Sequence, residues 1–180
     1  MTLRYLTAGE SHGTALTAIV EGFPSGVRLD TEFIDRELKR RQGGHGRGKR
    51  QSLESDRIQI DSGTYHGHST GAPITLRLVN NDAKLEHLRE PAARGGGHVD
   101  LAGSIGGQTG IRQVLERASA RETAVRVAVG ALGRLLLREI GITVFGYVRE
   151  LGGIEAEPLS LDAAVRDASP VYSLNPAADA

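Results

Sequence analysis

The stretch Glu116 to Gly130, ERASARETAVRVAVG, carries the densest chemistry in the chain. It sets Arg117, Arg121, Glu122 and Arg126 among small residues, with hydroxyls at Ser119 and Thr123. Read as a helix, its three- and four-residue spacings put Ser119, Glu122, Thr123 and Arg126 on one face and Arg117 beside Arg121. Guanidinium groups pair bidentately with carboxylate or phosphate and stack on flat rings, so this face suits an anionic, planar ligand. The small Ala118 and Ala120 let a ligand approach the backbone. The plainer alternative is a solvated helix surface with one Glu122–Arg126 pair, worth about 0.2–0.5 kcal/mol.

Two glycine-flanked segments offer complementary groups. Gly9 to Gly13 reads GESHG between two apolar, strand-like runs. A histidine in such a turn titrates near neutrality and can serve as acid or base. Further on, QGGHGRGKR combines close backbone approach at its glycines with the charges of Arg47, Lys49 and Arg50, a composition able to cradle phosphate. A basic loop without a ligand is the alternative there. Polyanion or RNA binding is disfavoured because no aromatics interleave the charges to stack on bases. His45, His66, His68 and His87 lack metal-ligand spacing with carboxylate support and read as solvated surface histidines, so no metal site is expected.

These groups need elements to hold them. Alternation predicts strands at Leu3 to Ala8, Ala15 to Val20, around Ile58 and Ile60, over Ile74 to Leu78, and over Ile142 to Val148. Asp30 or Thr31 can cap a helix running through Arg41 and ended by Gly43–Gly44. The spacing of Ile111, Val114, Leu115, Ala118, Val125, Val129, Leu132 and Leu136 predicts one long helix from about Gly110 to Ile140, stopped by Gly141. Gly130 and Gly133 inside it suggest close helix packing. Ser160 to Asp167 is a weaker helix, and SPVYSLNPAADA reads as a linker or frayed end. Antiparallel strands mixed with buried helices indicate an α+β layered fold.

At 180 residues the length prior is one domain, with a core built from Leu, Ile, Val and Ala because aromatics are 4% and tryptophan is absent. The 22 basic and 22 acidic residues cancel, so any anion site must be local. With no cysteine, disulfides and thiolate chemistry are excluded. The N-terminus lacks a signal-peptide pattern and no run reaches membrane-spanning length, which predicts a soluble, cytoplasmic protein binding neither nucleic acid nor membrane.

GESHG together with ERASARETAVRVAVG resembles chorismate synthase, the flavoenzyme of the shikimate pathway. RYLTAGESHGTALTAIVEGFPSGV, ELKRRQGGHGRGKR and SGTYHGHSTGAPITLRLVNND extend the likeness over most of residues 3 to 150. Chains of that family run to about twice this length. The resemblance implies helices packed between antiparallel β-sheets in two pseudo-repeated halves, with residues 1–152 as the N-terminal half and 153–180 leading toward the second. It implies a 1,4-anti elimination of phosphate from 5-enolpyruvylshikimate 3-phosphate to give chorismate, with reduced FMN, possible NADPH as reductant, and assembly as a homotetramer. By the same resemblance His12 serves the leaving phosphate and His98 protonates the flavin. Arg117, Ala118 and Ser119 match flavin contacts. Ser11, Arg41, Arg47, Arg50, Ala120 and Arg121 match substrate contacts, and Arg41 and Arg47 also match positions assigned to the pyridine nucleotide. The family's Arg-Pro-Gly-His-Ala-Asp segment here reads Gly95-Gly96-Gly97-His98-Val99-Asp100, and its Lys-Tyr pair is replaced by Gly106-Gly107. The other reading the sequence leaves open is a half that keeps an anion site, or an assembly role, without turnover.

Overall fold

The computed structural model describes residues 2–48, 54–90, 100–105 and 110–179. Strands β1 (Arg4–Ala8), β2 (Ala15–Glu21), β3 (Ile58–Ser62) and β6 (Ile74–Val79) form a four-stranded antiparallel sheet in the order β1-β2-β6-β3. Between β3 and β6, strands β4 (Thr64–Tyr65) and β5 (His68–Ser69) form a small hairpin. Helix α1 (Thr31–Gln42) follows β2. After β6 come α2 (Asp100–Ile105), α3 (Ile111–Ala118), a single 3-10 turn (Ala120–Glu122) and α4 (Thr123–Glu139). A second hairpin, β7 (Glu150–Leu151) and β8 (Ile154–Glu155), and helix α5 (Ala163–Ala168) precede the C-terminal segment.

The sheet forms where alternation predicted it. Register pairs Leu16 with Leu78, Ala18 with Leu76 and Val20 with Ile74, so one face of β2 and β6 is continuously apolar and fully buried. Helices α1 and α4 cover that face through Phe33, Ile34 and Leu38 on one and Ala124, Val125, Ala128 and Leu132 on the other. The Asp30 carboxylate caps α1 by accepting from the Phe33 N–H at 2.9 Å. The guanidinium of Arg138 lies 3.7 Å from the centre of the Phe33 ring, sealing the α1–α4 contact at its edge. The result is the α+β arrangement expected, with the helices stacked on one face of an antiparallel sheet.

Four expectations are corrected. The helix predicted over 110–140 is broken at Ser119, whose backbone is extended (φ −64°, ψ 145°). Its hydroxyl accepts from the Arg121 N–H at 3.3 Å, so the side chain caps a new turn instead of continuing the old one. No glycine or proline marks the break, which is why the apolar stripe read as continuous. Residues 142–148 form no strand. Ile142 and Val144 are about half exposed (47% and 50%), because among the described residues no strand pairs with this segment. Among the described residues Gly130 and Gly133 do not mediate close packing: none of those residues lies within 4 Å of a Cβ built at either. They line an open groove of about 630 Å³ with Leu3, Val127, Leu136 and Val144.

The C-terminal segment is not a frayed end. Ser173 and Leu174 are buried, and the Tyr172 hydroxyl donates to the Arg40 carbonyl at 2.6 Å, closing the end of α1. Gly44 (φ +92°) lets the chain turn under that ring, since a Cβ there would sit 2.9 Å from Tyr172 Cε2. Tyr172→Phe removes that one hydrogen bond and should destabilise the fold by about 1 kcal/mol. A urea titration checks it; an unchanged midpoint would mean the tail does not brace α1.

Candidate active site

The site is built where the β1–β2 turn, the loop after β6, the 54–57 segment and the α3–α4 junction meet. The turn is stitched to α3 through the backbone, the Ser11 N–H donating to the Glu116 carbonyl at 3.0 Å. Side chains follow: Ser11 Oγ donates to Ser119 Oγ at 2.9 Å. The His12 N–H donates to Glu116 Oε2 at 2.8 Å, and His12 Nδ1 lies 2.9 and 3.0 Å from the two Glu116 oxygens. The His12 carbonyl accepts from Lys84 and Leu85 N–H groups at 3.0 and 2.9 Å. His12 Nε2 is 3.7 Å from Asp82 Oδ2.

Beneath this turn lies a buried charge cluster. Arg121, with its side chain 4% exposed, donates through Nε to Asn80 Oδ1 at 2.8 Å and through Nη1 to Asp56 Oδ1 at 2.6 Å. The Asn80 amide nitrogen in turn reaches the carbonyls of Glu10, Ser11 and Gly13 at 3.2, 3.3 and 2.7 Å. One asparagine thereby ties the histidine turn to the arginine. Arg121 Nη2 is buried and, among the described residues, makes no hydrogen bond, its ion-pair partner Glu54 Oε2 standing 3.8 Å away. Beside it opens a cavity of about 250 Å³ lined by Arg41, Gln42, Glu54, Ser119, Ala120 and Arg121. Arg41 and Arg121 give this cavity two guanidinium groups, the donor type that pairs with carboxylate or phosphate, with the Glu54 carboxylate on the same wall.

The other predicted site residues fall as follows. Arg41 borders the cavity, donating to the Ala120 carbonyl at 2.7 Å and to Thr123 Oγ1 at 3.0 and 3.1 Å. Burial lowers its pKa; Asp56 opposes that shift, while Arg121 and Arg47 reinforce it. Arg47 is exposed and donates to the Gly43 carbonyl at 2.7 Å. Arg117 points to the sheet rather than toward Arg121, donating to the Thr7 carbonyl and hydroxyl at 3.0 and 2.7 Å and to the Gly9 carbonyl at 3.3 Å. Glu122 turns the same way, accepting from Thr7 Oγ1 at 2.6 Å and Arg126 Nε at 2.7 Å. The single helical face expected for Ser119, Glu122, Thr123 and Arg126 is therefore split by the break at Ser119. Ala118 and Ala120 are exposed. His45, His66, His68 and His87 are exposed as well. His98, Arg50 and the glycines at 95–97 and 106–107 lie outside the described residues.

Sequence reasoning missed Asn80, Asp56, Glu54 and the pairing role of Glu116. Asn80 lies in the Val79-Asn80-Asn81-Asp82 run at the end of β6, which carries no signature of its own; only the fold shows that three turn carbonyls converge on it.

Comparison with known proteins places the chain. The family model described as chorismate synthase matches residues 3–180. The chain belongs to the chorismate synthase family. It is 50% identical over 159 residues to the chorismate synthase of Thermoanaerobacter pseudethanolicus, covering 86% of this chain and 45% of that one. It is 52% identical over 172 residues to that of Shouchella clausii, covering 86% and 44%. A solved structure of chorismate synthase superposes with a TM-score of 0.79 at 38% identity, covering 99% of this chain and half (50%) of that one. The chain thus spans about half the length of the chorismate synthases it matches.

Two predictions follow from the charges. Asp56→Ala strands the Arg121 guanidinium in the interior and should cost about 3–5 kcal/mol, whereas the double variant with Arg121→Met should recover part of it. Denaturant titrations of the single and double variants measure this; a cost below about 1 kcal/mol for Asp56→Ala would show the pair to be solvated. The carboxyls of Glu37, Glu116 and Glu122 are raised by burial, but hydrogen bonds and charges from Arg40 and Arg134, from His12 and Arg112, and from Arg126, Thr7 and Arg117 respectively more than reverse that, leaving each below the ordinary value. Because the folded pKa is depressed, the stability they confer is present above the unfolded carboxyl value of about 4.3 and is lost as pH falls through the folded values. Melting temperature should hold from neutral pH to about 5 and then drop, and Glu37→Gln should flatten part of the drop. A melting temperature independent of pH down to about 3 would refute the assignment.

Proposed function

We propose that this chain carries the N-terminal side of a chorismate synthase active site, in which phosphate is eliminated from 5-enolpyruvylshikimate 3-phosphate in a 1,4-anti sense to give chorismate. The observation that carries the reading is the hydrogen bond from Ser11, next to the turn histidine His12, to Ser119, which lines a cavity shared with the cations Arg41 and Arg121. As the allylic C–O bond breaks, negative charge grows on the leaving phosphate, and a nearby proton donor and cations lower the barrier. His12 supplies the proton; Arg41 and Arg121 hold the anion, with Ser11 and Ala120 beside them. His98 and Arg50 complete the set by family resemblance.

Reduced FMN fits the residues present. Ala118 and Ala120 are small and exposed, leaving no long side chain to obstruct a flat ring, and Ser119 between them in sequence carries a hydroxyl. By family resemblance Arg117, Ala118 and Ser119 would hold it, while Arg41 and Arg47 match positions assigned to the pyridine nucleotide, with NADPH as the reductant. The flavin, when bound, supplies electron density to the substrate ring during elimination. The family reading extends to a lyase of aromatic amino acid biosynthesis acting in the cytoplasm as a homotetramer, with residues 1–152 as its N-terminal half. Among the described residues, no helix is long and apolar enough to cross a membrane.

A second reading accords with the half-length coverage of the relatives: an inactive half that keeps an anion site, or an assembly role, without turnover. The two are separated by anaerobic assay of chorismate formation from 5-enolpyruvylshikimate 3-phosphate with chemically reduced FMN. Turnover that falls by about 10²-fold or more in His12→Ala supports the enzyme. Substrate binding without turnover by folded protein supports the second reading.

A further inference from the structure

We propose that Glu116 is the positioning residue for His12, fixing the imidazole with a proton on Nδ1 so that Nε2 is the nitrogen that delivers a proton to a bound anion. The proposal rests on the reading of His12 as the acid at the leaving phosphate. Its geometry stands without that reading. Glu116 is 2% exposed and lies on α3, while His12 comes from a turn more than a hundred residues earlier. The carboxylate grips His12 twice, through the backbone N–H at 2.8 Å and through Nδ1 at 2.9 and 3.0 Å. The histidine backbone is held on its other side by the two N–H groups of Lys84 and Leu85.

An ionised carboxylate only accepts hydrogen bonds, so the nitrogen facing it must carry the hydrogen. Burial raises the Glu116 carboxyl, but the His12 contacts and the Arg112 hydrogen bond bring it below the ordinary value, which keeps it ionised at neutral pH. Arg112 lies one turn back on α3, 3.4 Å from Glu116 Oε1. Toward Nε2, charged groups among the described residues include Asp82, at 3.7 Å, and Lys84, which pairs with Asp82 at 2.8 Å. In the imidazolium both nitrogens bear hydrogen. The Nε2 proton passes to a phosphate oxygen as the C–O bond breaks, the Nδ1 hydrogen stays on its bond to Glu116, and the ring is left neutral. Glu116 remains ionised throughout and touches neither substrate nor flavin.

Long-range ¹H–¹⁵N NMR correlations on the full chain labelled at histidine, at a pH where the imidazoles are neutral, read the tautomer directly; His12→Asn assigns the signal. Wild-type His12 should show the Nδ1–H form. In Glu116→Gln the side-chain oxygen is claimed by the His12 N–H, the amide NH₂ faces Nδ1, and the tautomer should switch to Nε2–H. A wild-type His12 in the Nε2–H form, or one that keeps Nδ1–H in Glu116→Gln, overturns the proposal. Should that variant not fold, the wild-type spectrum alone decides. Where turnover is measurable, Glu116→Gln should lower kcat by about 10²-fold with KM little changed, and Glu116→Asp should restore part of it. Because the spectrum needs no substrate, absence of turnover defeats the functional reading while leaving the tautomer to test this one.

Discussion

The buried guanidinium of Arg121 is the constraint around which the rest of the site is arranged. An ion removed from water is tolerated only when paired and hydrogen-bonded, and Asp56 and Asn80 supply both. Meeting that demand fixes more than one side chain. Asn80 can present its oxygen to Arg121 only with its nitrogen toward the Glu10, Ser11 and Gly13 carbonyls, which pins the histidine turn. Asp56 brings the 54–57 segment against the α3–α4 junction, where Gln42 at the end of α1 meets the Glu54 carbonyl at 2.8 Å.

The break at Ser119 makes that geometry reachable. In an unbroken helix Arg117 and Arg121 would project from one face and compete for the same solvent. With the backbone extended at Ser119, they part: Arg117 braces β1 through Thr7 and Gly9, and Arg121 enters the interior. The same break puts Ser119 Oγ within reach of Ser11 and leaves Glu116, at the end of α3, opposite His12. A local loss of helix hydrogen bonding is offset by these five long-range polar contacts.

One region of the fold remains without a lining. The α4 surface around Gly130 and Gly133 and the extended 142–148 segment carry apolar side chains that nothing in the described residues covers. In the same chain, the face of α4 that meets the sheet is fully buried at Ala124, Ala128 and Leu132. The contrast accords with a fold that aligns with only half of the solved chorismate synthase structure.

Much of the framework was legible in the residue order. Alternation located the four strands of the sheet to within a residue or two, and Asp30 with Gly43 bounded α1, because a two-residue period and a cap are local properties of the chain. The motifs at Ser11–His12 and Arg117–Arg121, far apart in sequence, meet in the fold through the Ser11–Ser119 and His12–Glu116 contacts. The break at Ser119 was not legible, since a serine amid small residues continues a helix as readily as it caps a new one, and only the contacts made on either side decide. Residues 142–148 failed as a strand for the converse reason: alternation records a preference for pairing, and pairing needs an edge that the fold did not place there. By itself the sequence determined which groups could do chemistry and which faces would be buried, because side-chain type and periodicity are written in it. Only the tertiary structure decided that Glu116 faces His12 and that Asn80 and Asp56 hold Arg121, because those partners lie from 41 to 104 residues apart and meet only when the sheet and helices close around a charge that must not be left alone.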